Sequence, residues 1–81
     1  MRVGDIRENL EAALRGLSEA ERELLFKRAD LTGNQIMRME LFMEGKNLNE
    51  IAGIDGITRE SVNATLSAAQ SKLKMARRTL G

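Results

Sequence analysis

The chain has 81 residues, 42% of them apolar and 31% charged, with no cysteine, no histidine and a formal net charge of +1. This is the composition of one folded domain with a modest core; it excludes disulfides, thiolate or imidazole metal sites and the commonest general base. No apolar run reaches the length of a membrane span and the N-terminus lacks the apolar segment of a secretory signal, so the expectation is a cytoplasmic protein with no membrane partner.

The first helix is expected to open at Asp5-x-x-Glu8, a capping residue with an acid three positions on, which together satisfy backbone N–H groups that a first helical turn leaves orphaned. Ile6, Leu10, Ala13, Leu14 and Leu17 then recur on one helical face, and Gly16 is placed to end it. Ser18-x-x-Glu21 opens a second helix marked by Ala20, Leu24, Leu25 and Ala29, with Phe26 widening the stripe. Thr32-x-x-Gln35 opens a third, where Ile36, Met39 and Met43 are flanked by Met37, Leu41 and Phe42. Apolar nearly all round, it is expected to be the central, most buried helix, with its methionines as core filler and Gly45 as its left-handed cap.

Asn47-x-x-Glu50 opens a fourth helix, and Thr58 a fifth with only half of the box, since Ser61 stands where the acid would be. In this last helix Val62, Leu66, Ala69, Leu73, Ala76 and Leu80 alternate at spacings of four and three, a heptad seam without a breaker. From Arg59 to Leu80 that is about 33 Å of helix at the usual rise per residue, more than the two preceding short elements can cover. The far end must pack on the N-terminal helices or on a second copy. Ile6, Leu10 and Leu14 on one side and Leu73, Ala76 and Leu80 on the other are therefore expected to form a homodimer contact. The fold class is all-α, about five helices in a single unit spanning 1–81.

Charge is unevenly spread. Residues 1–57 hold eight Lys/Arg against eleven Asp/Glu, whereas residues 58–81 hold five against the single acid Glu60. Either the cations complement the dipole of their own helix or they mark a face for an anionic partner.

Ala52, Gly56 and Val62 stand at the separations a helix-turn-helix requires: a small residue at the helix crossing, a glycine for the left-handed turn and a β-branched residue packing the second helix back on the first. The run from Leu31 to Leu73 resembles the LuxR/GerE-type DNA-binding domain without a gap. Leu31, Thr32 and Gln35 match the family's opening, and Glu44-Gly45 its Glu-Gly. Glu50-Ile51-Ala52 match its Glu-Ile-Ala, Ile57-Thr58 its turn, Ser61-Val62 its Thr-Val and Lys72-Leu73 its closing Lys-Leu. The promoter-binding domain of bacterial sigma factors shares much of this pattern. The resemblance implies a core at 31–73, with 1–30 as an N-terminal helical extension and a long C-terminal recognition helix.

The chain also departs from the pattern. Asp55 replaces the family's leucine before the turn glycine, and Gly53 stands inside the helix; Ile54 is expected to supply the missing apolar contact, with Asp55 turned to solvent. The frequent Lys and His of the recognition helix are Asn63 and Thr65, and no separate fourth family helix is visible.

In this architecture Thr58, Arg59, Glu60, Asn63, Ala64 and Ser67 are the outward positions of the recognition helix. Arg59 suits guanine, Asn63 adenine and Glu60 a cytosine amino group. Thr58, Ser61, Lys46 and Asn47 suit phosphate, the last two at a helix N-terminus. The expected function is a small DNA-binding transcription regulator acting on double-stranded DNA. The alternative is a protein-interaction regulator, an antiactivator or an adaptor for RNA polymerase, a sigma factor or another transcription regulator, that keeps the fold without specific DNA binding. No cofactor is called for. Catalysis is not expected, because the hydroxyl and carboxylate residues have no histidine partner and no glycine-rich phosphate loop is present.

Overall fold

The computed structural model describes residues 3–80, and for Val3 and Leu80 the backbone alone. Five helices follow one another: α1 (Val3–Leu14), α2 (Glu19–Arg28), α3 (Gly33–Met43), α4 (Leu48–Asp55) and α5 (Arg59–Leu80). The fold is all-α, as the capping and periodicity signals require. Among the described residues no helix is long and apolar enough to cross a membrane.

Three of the helix starts are reciprocal capping boxes. The Ser18 hydroxyl accepts from the Glu21 N–H while the Glu21 carboxylate accepts from the Ser18 N–H. Thr32 with Gln35 and Asn47 with Glu50 make the same pair of bonds. The box expected at Asp5 and Glu8 does not form: α1 already begins at Val3, so Asp5 lies inside its first turn, where its charge complements the helix dipole instead of capping.

The helix ends use the left-handed region. Gly45 and Gly56 take φ of 108° and 67° after α3 and α4, and Gly16 follows α1 at 75°. After α2 the same role falls to Asp30, at φ 56°, whose chain reversal lets the Leu31 N–H reach back to the Phe26 carbonyl at 3.2 Å.

The centre of the fold is α5, on which each of the other four helices packs. Its seam residues Val62, Leu66, Ala69 and Leu73 are fully buried and Ala76 nearly so. This corrects the expectation for α3, where only Met39 and Phe42 are buried; Ile36, Leu41 and Met43 are half-buried and Met37 is exposed. A helix that is apolar on several sides here lies at the edge of the core, lining surface grooves with part of its girth. In α2 likewise only Leu25 is buried, joined by the C-cap Ala29, and Ala20 and Leu24 are exposed.

The long seam is covered from within the chain. α1 folds back along the distal half of α5, and Ile6, Leu10, Leu14, Leu73 and Ala76 all belong to one buried cluster. The side chain of Leu80 lies outside the described residues. The face expected to meet a second copy is thus buried within one chain, where the described seam residues contact α1. Buried Gln70 sits in the same α1–α5 seam, its side-chain carbonyl accepting from the Asn9 amide at 2.9 Å.

Candidate nucleic-acid interface at the α4–α5 corner

The corner begins with the Asn47 cap. It fixes α4 so that Leu48 and Ile51 are buried and Ala52 packs against the core. Gly56 then turns at φ 67°, ψ 31°, and its N–H and that of Ile57 both return to the Ala52 carbonyl, the latter at 3.1 Å. Helix α4 runs through Gly53 without interruption. Beyond the turn the Thr58 hydroxyl accepts from the Ser61 N–H at 3.1 Å and donates to the Ser61 hydroxyl at 2.9 Å. A hydroxyl thus stands in for the missing acid, and α5 starts with a half-box.

On the first turns of α5, Thr58, Arg59, Glu60, Ser61 and Ala64 are exposed, while Val62 and Leu66 are buried. These exposed positions agree with the outward face expected of them. Asn47 is also exposed, but its side-chain carbonyl is held by the Glu50 N–H, which leaves only its amide N–H groups for a ligand. Lys46 and Ser67 are half-buried. Asn63 departs from expectation: it is half-buried on the flank of the helix, and its Oδ1 is buried without a hydrogen-bond partner among the described residues. The amide needed to read an adenine edge is not displayed as an outward pair of donor and acceptor.

The Asp55 expectation is also reversed. Ile54 is 58% exposed, and Asp55 is mostly buried in an ion pair with Arg38. The Arg38 side chain also donates to the Thr65 hydroxyl at 3.1 Å, and that hydroxyl donates to the Ser61 carbonyl at 2.9 Å. One guanidinium on α3 therefore joins the end of α4 to the early turns of α5. Both unusual residues of this corner, Asp55 and Thr65, are explained by the same partner. Sequence reasoning missed Arg38 because its partners lie 17 and 27 positions away, where no helical spacing signals them.

The excess of cations in the last third of the chain has a structural use as well. Arg77 donates to the carbonyls of Ala13 and Arg15, at 3.1 and 3.3 Å, just where α1 ends. The Lys72 ammonium approaches the Asp30 carbonyl beyond α2 at 3.4 Å and Gln35 Oε1 at 3.3 Å. On α1, Arg7 donates to the Phe42 carbonyl at 2.7 Å while lying 4.0 Å over the Phe42 ring, which closes the end of α3. Cations on neighbouring helices thus serve the negative ends of α1, α2 and α3, a third possibility beside an own-helix dipole and an external anion. Around the corner itself, besides the Arg38–Asp55 pair, the charged residues are Lys46 and Arg59 against Glu44, Glu50 and Glu60.

Compared with known protein families, curated proteins and solved structures, the chain gives no match.

Proposed function

We propose that the protein is a DNA-binding transcription regulator whose α4–α5 corner is a helix-turn-helix and whose α5 enters the major groove with its first turns. The single observation that carries the reading is the division of α5 beyond the Gly56 turn: Val62 and Leu66 hold it to the core, while Thr58, Arg59, Glu60, Ser61 and Ala64 stand exposed at its N-terminal end. Recognition helices meet base edges with their N-terminal residues. In this reading Arg59 is the base-reading residue, its guanidinium matching guanine O6 and N7, and Lys46 contacts phosphate. The resemblance of residues 31–73 to the LuxR/GerE-type domain supports the same assignment.

The small number of cations sets its strength. With Lys46 the one cation on phosphate and Arg59 on a base edge, the salt slope is roughly −1 to −2, far shallower than that of a strongly basic binder. Binding by one copy is then weak, and useful affinity requires a neighbouring protein on the same DNA. Fluorescence anisotropy of labelled genomic fragments at low and moderate salt tests this. Saturable, salt-weakened binding that Arg59→Ala diminishes is the expected result, and no binding at low salt overturns it.

A second reading, a protein-interaction regulator such as an antiactivator or a polymerase- or sigma-binding adaptor, is favoured by one observation. Arg7, Lys72 and Arg77 cap helices of the chain itself, which leaves the corner without a basic surround. The same anisotropy measurement separates the two.

A further inference from the structure

Helix α2 rests chiefly on α5, through Leu25 and Ala29, and α3 enters the core through Met39 and Phe42. Between α2 and α3 this leaves a groove of about 370 Å³ floored by Leu14, Phe26, Met39 and Met43. It continues past Phe26 into a shallower depression of about 210 Å³ beside Leu31 and Ile36. Phe26 belongs to both and is half-buried; the chain's other aromatic residue, Phe42, is fully buried. In the main groove Phe26 and Met43, also half-buried, are thus the apolar side chains open to a visitor, and methionine adapts readily to different partners.

The walls are predominantly acidic. Glu19 and Glu23 line the groove from α2, and Glu40 and Glu44 from α3, against Arg22 in the groove and Lys27 in its continuation. All four carboxylates are exposed, and the Arg38–Asp55 pair is the sole ion pair among the described residues. Each wall is an i, i+4 pair of like charges, a spacing that destabilises a helix. On α3 the placement is doubly unfavourable, since Glu40 is in the last turns and Glu44 is the C-cap, next to the negative end of the dipole. On α2 the first-turn Glu19 suits its own dipole, so the unfavourable placement is that of the α3 wall, and a cationic occupant of the groove relieves it.

We infer that the α2–α3 groove docks a basic amphipathic helix of a partner protein. Its large apolar side chains lie on Phe26 and Met43, and its Lys or Arg residues on both flanks face Glu19 and Glu23 on one side and Glu40 and Glu44 on the other. The groove shares none of the exposed α5 positions assigned to DNA, so the partner and a nucleic acid occupy separate surfaces.

The test uses the full chain and a synthetic leucine–lysine peptide with leucines at helical spacing, with the leucine–glutamate peptide of the same pattern as control. Amide chemical-shift changes are expected to centre on residues 19–26 and 39–44, with no binding of the acidic peptide. The double variant Glu23→Lys/Glu40→Lys changes only exposed side chains and should lower affinity for the basic peptide at least about tenfold. Phe26→Ala should weaken it as well, with retained helical circular dichroism showing that the fold persists. Unchanged affinity in the charge variant, or shifts centred elsewhere, overturns the proposal. So does concentration-dependent self-association of the protein alone that the charge variant abolishes, because the occupant is then a second copy.

Discussion

Arg38 on α3 and Asp55 at the end of α4 form an ion pair that also reaches α5, because the same guanidinium donates to the Thr65 hydroxyl at 3.1 Å. Each side chain is 15% exposed, between a surface pair and a buried one. Removing one partner leaves the other charge half-desolvated, so Arg38→Met should cost about 2 kcal/mol, above the surface-pair range and below the 3–5 typical of a buried pair. Replacing both, Arg38→Met with Asp55→Leu, restores an apolar contact and should recover most of the loss. Urea midpoints of the two single variants and the double variant measure the coupling. Additive losses would show that the pair does not act as a unit.

Gly53 inside α4 and Gly56 just after it should respond in opposite ways. Gly56 sits at φ 67° with open space where a side chain would be, so its cost is backbone strain alone. Gly56→Val should lose well over ~1 kcal/mol, since a β-branched residue strongly resists the left-handed region. Gly53 is helical and equally open, so Gly53→Ala should gain about 0.5–1 kcal/mol. Thermal melts of both variants check the contrast, and a Gly56→Val midpoint equal to wild type would remove the turn assignment.

The features legible in the sequence are the local ones. The boxes at Ser18, Thr32 and Asn47 involve residues three apart, and the glycine at position 56 marks its turn by residue type, so each could be read from a few letters. The seam of α5 was equally plain, but not what covers it: the period says that Leu73 is buried, and only the topology says that α1 of the same chain does the burying. At the candidate site the exposure of Arg59 and Glu60 followed from helical phase. The burial of Asp55 did not, because it depends on an arginine from another helix. The C-terminal cations were ambiguous for the same reason. A lysine or arginine that closes a distant helix looks, in sequence, like one awaiting phosphate.

Leu73→Glu follows from the intramolecular seam. Leu73 is fully buried among the chain's own residues, so a carboxylate there should destabilise by several kcal/mol, about 3 or more. The loss should be independent of protein concentration, because no partner is needed to cover the position. Denaturant curves at two widely separated concentrations test this. A midpoint that rises with concentration in the wild type would return the α1–α5 contact to an interface between chains.

Glu21 supplies a pH dependence. The hydrogen bond from the Ser18 backbone N–H, then that with the Ser18 side chain, hold its carboxyl below the usual 4.5, with a smaller contribution from the charge of Arg77. A depressed folded-state pKa means stabilisation that is present above the unfolded value and is lost as pH falls through the folded one. Glu21→Gln should therefore be less stable than wild type at neutral pH, and the difference should shrink on acidification below the ordinary carboxylate range. Paired melts across that range read the effect; a difference constant with pH would leave the capping charge without a role.

In the proposed DNA-binding reading, position on α5 should matter most for readout. Arg59 is exposed at the first turn and has the geometry for a guanine edge, so Arg59→Ala should lose roughly 1–3 kcal/mol on the preferred site while sparing nonspecific binding. Lys46 precedes the α4 cap and meets only phosphate in this reading. Lys46→Ala should therefore weaken all sequences alike and flatten the salt dependence by about one counterion. Asn63 should behave differently from both. Its Oδ1 is already buried and unsatisfied, so alanine there removes a polar atom that finds no partner and leaves the outward face intact. Site preference in Asn63→Ala should match wild type, and its stability should be equal or higher. Anisotropy titrations of the three variants against one preferred and one scrambled fragment distinguish these roles. If Asn63→Ala loses discrimination and Arg59→Ala does not, the reading face lies on the opposite flank of α5. If none of the three changes binding, DNA contacts some other surface and the interaction-module reading takes precedence.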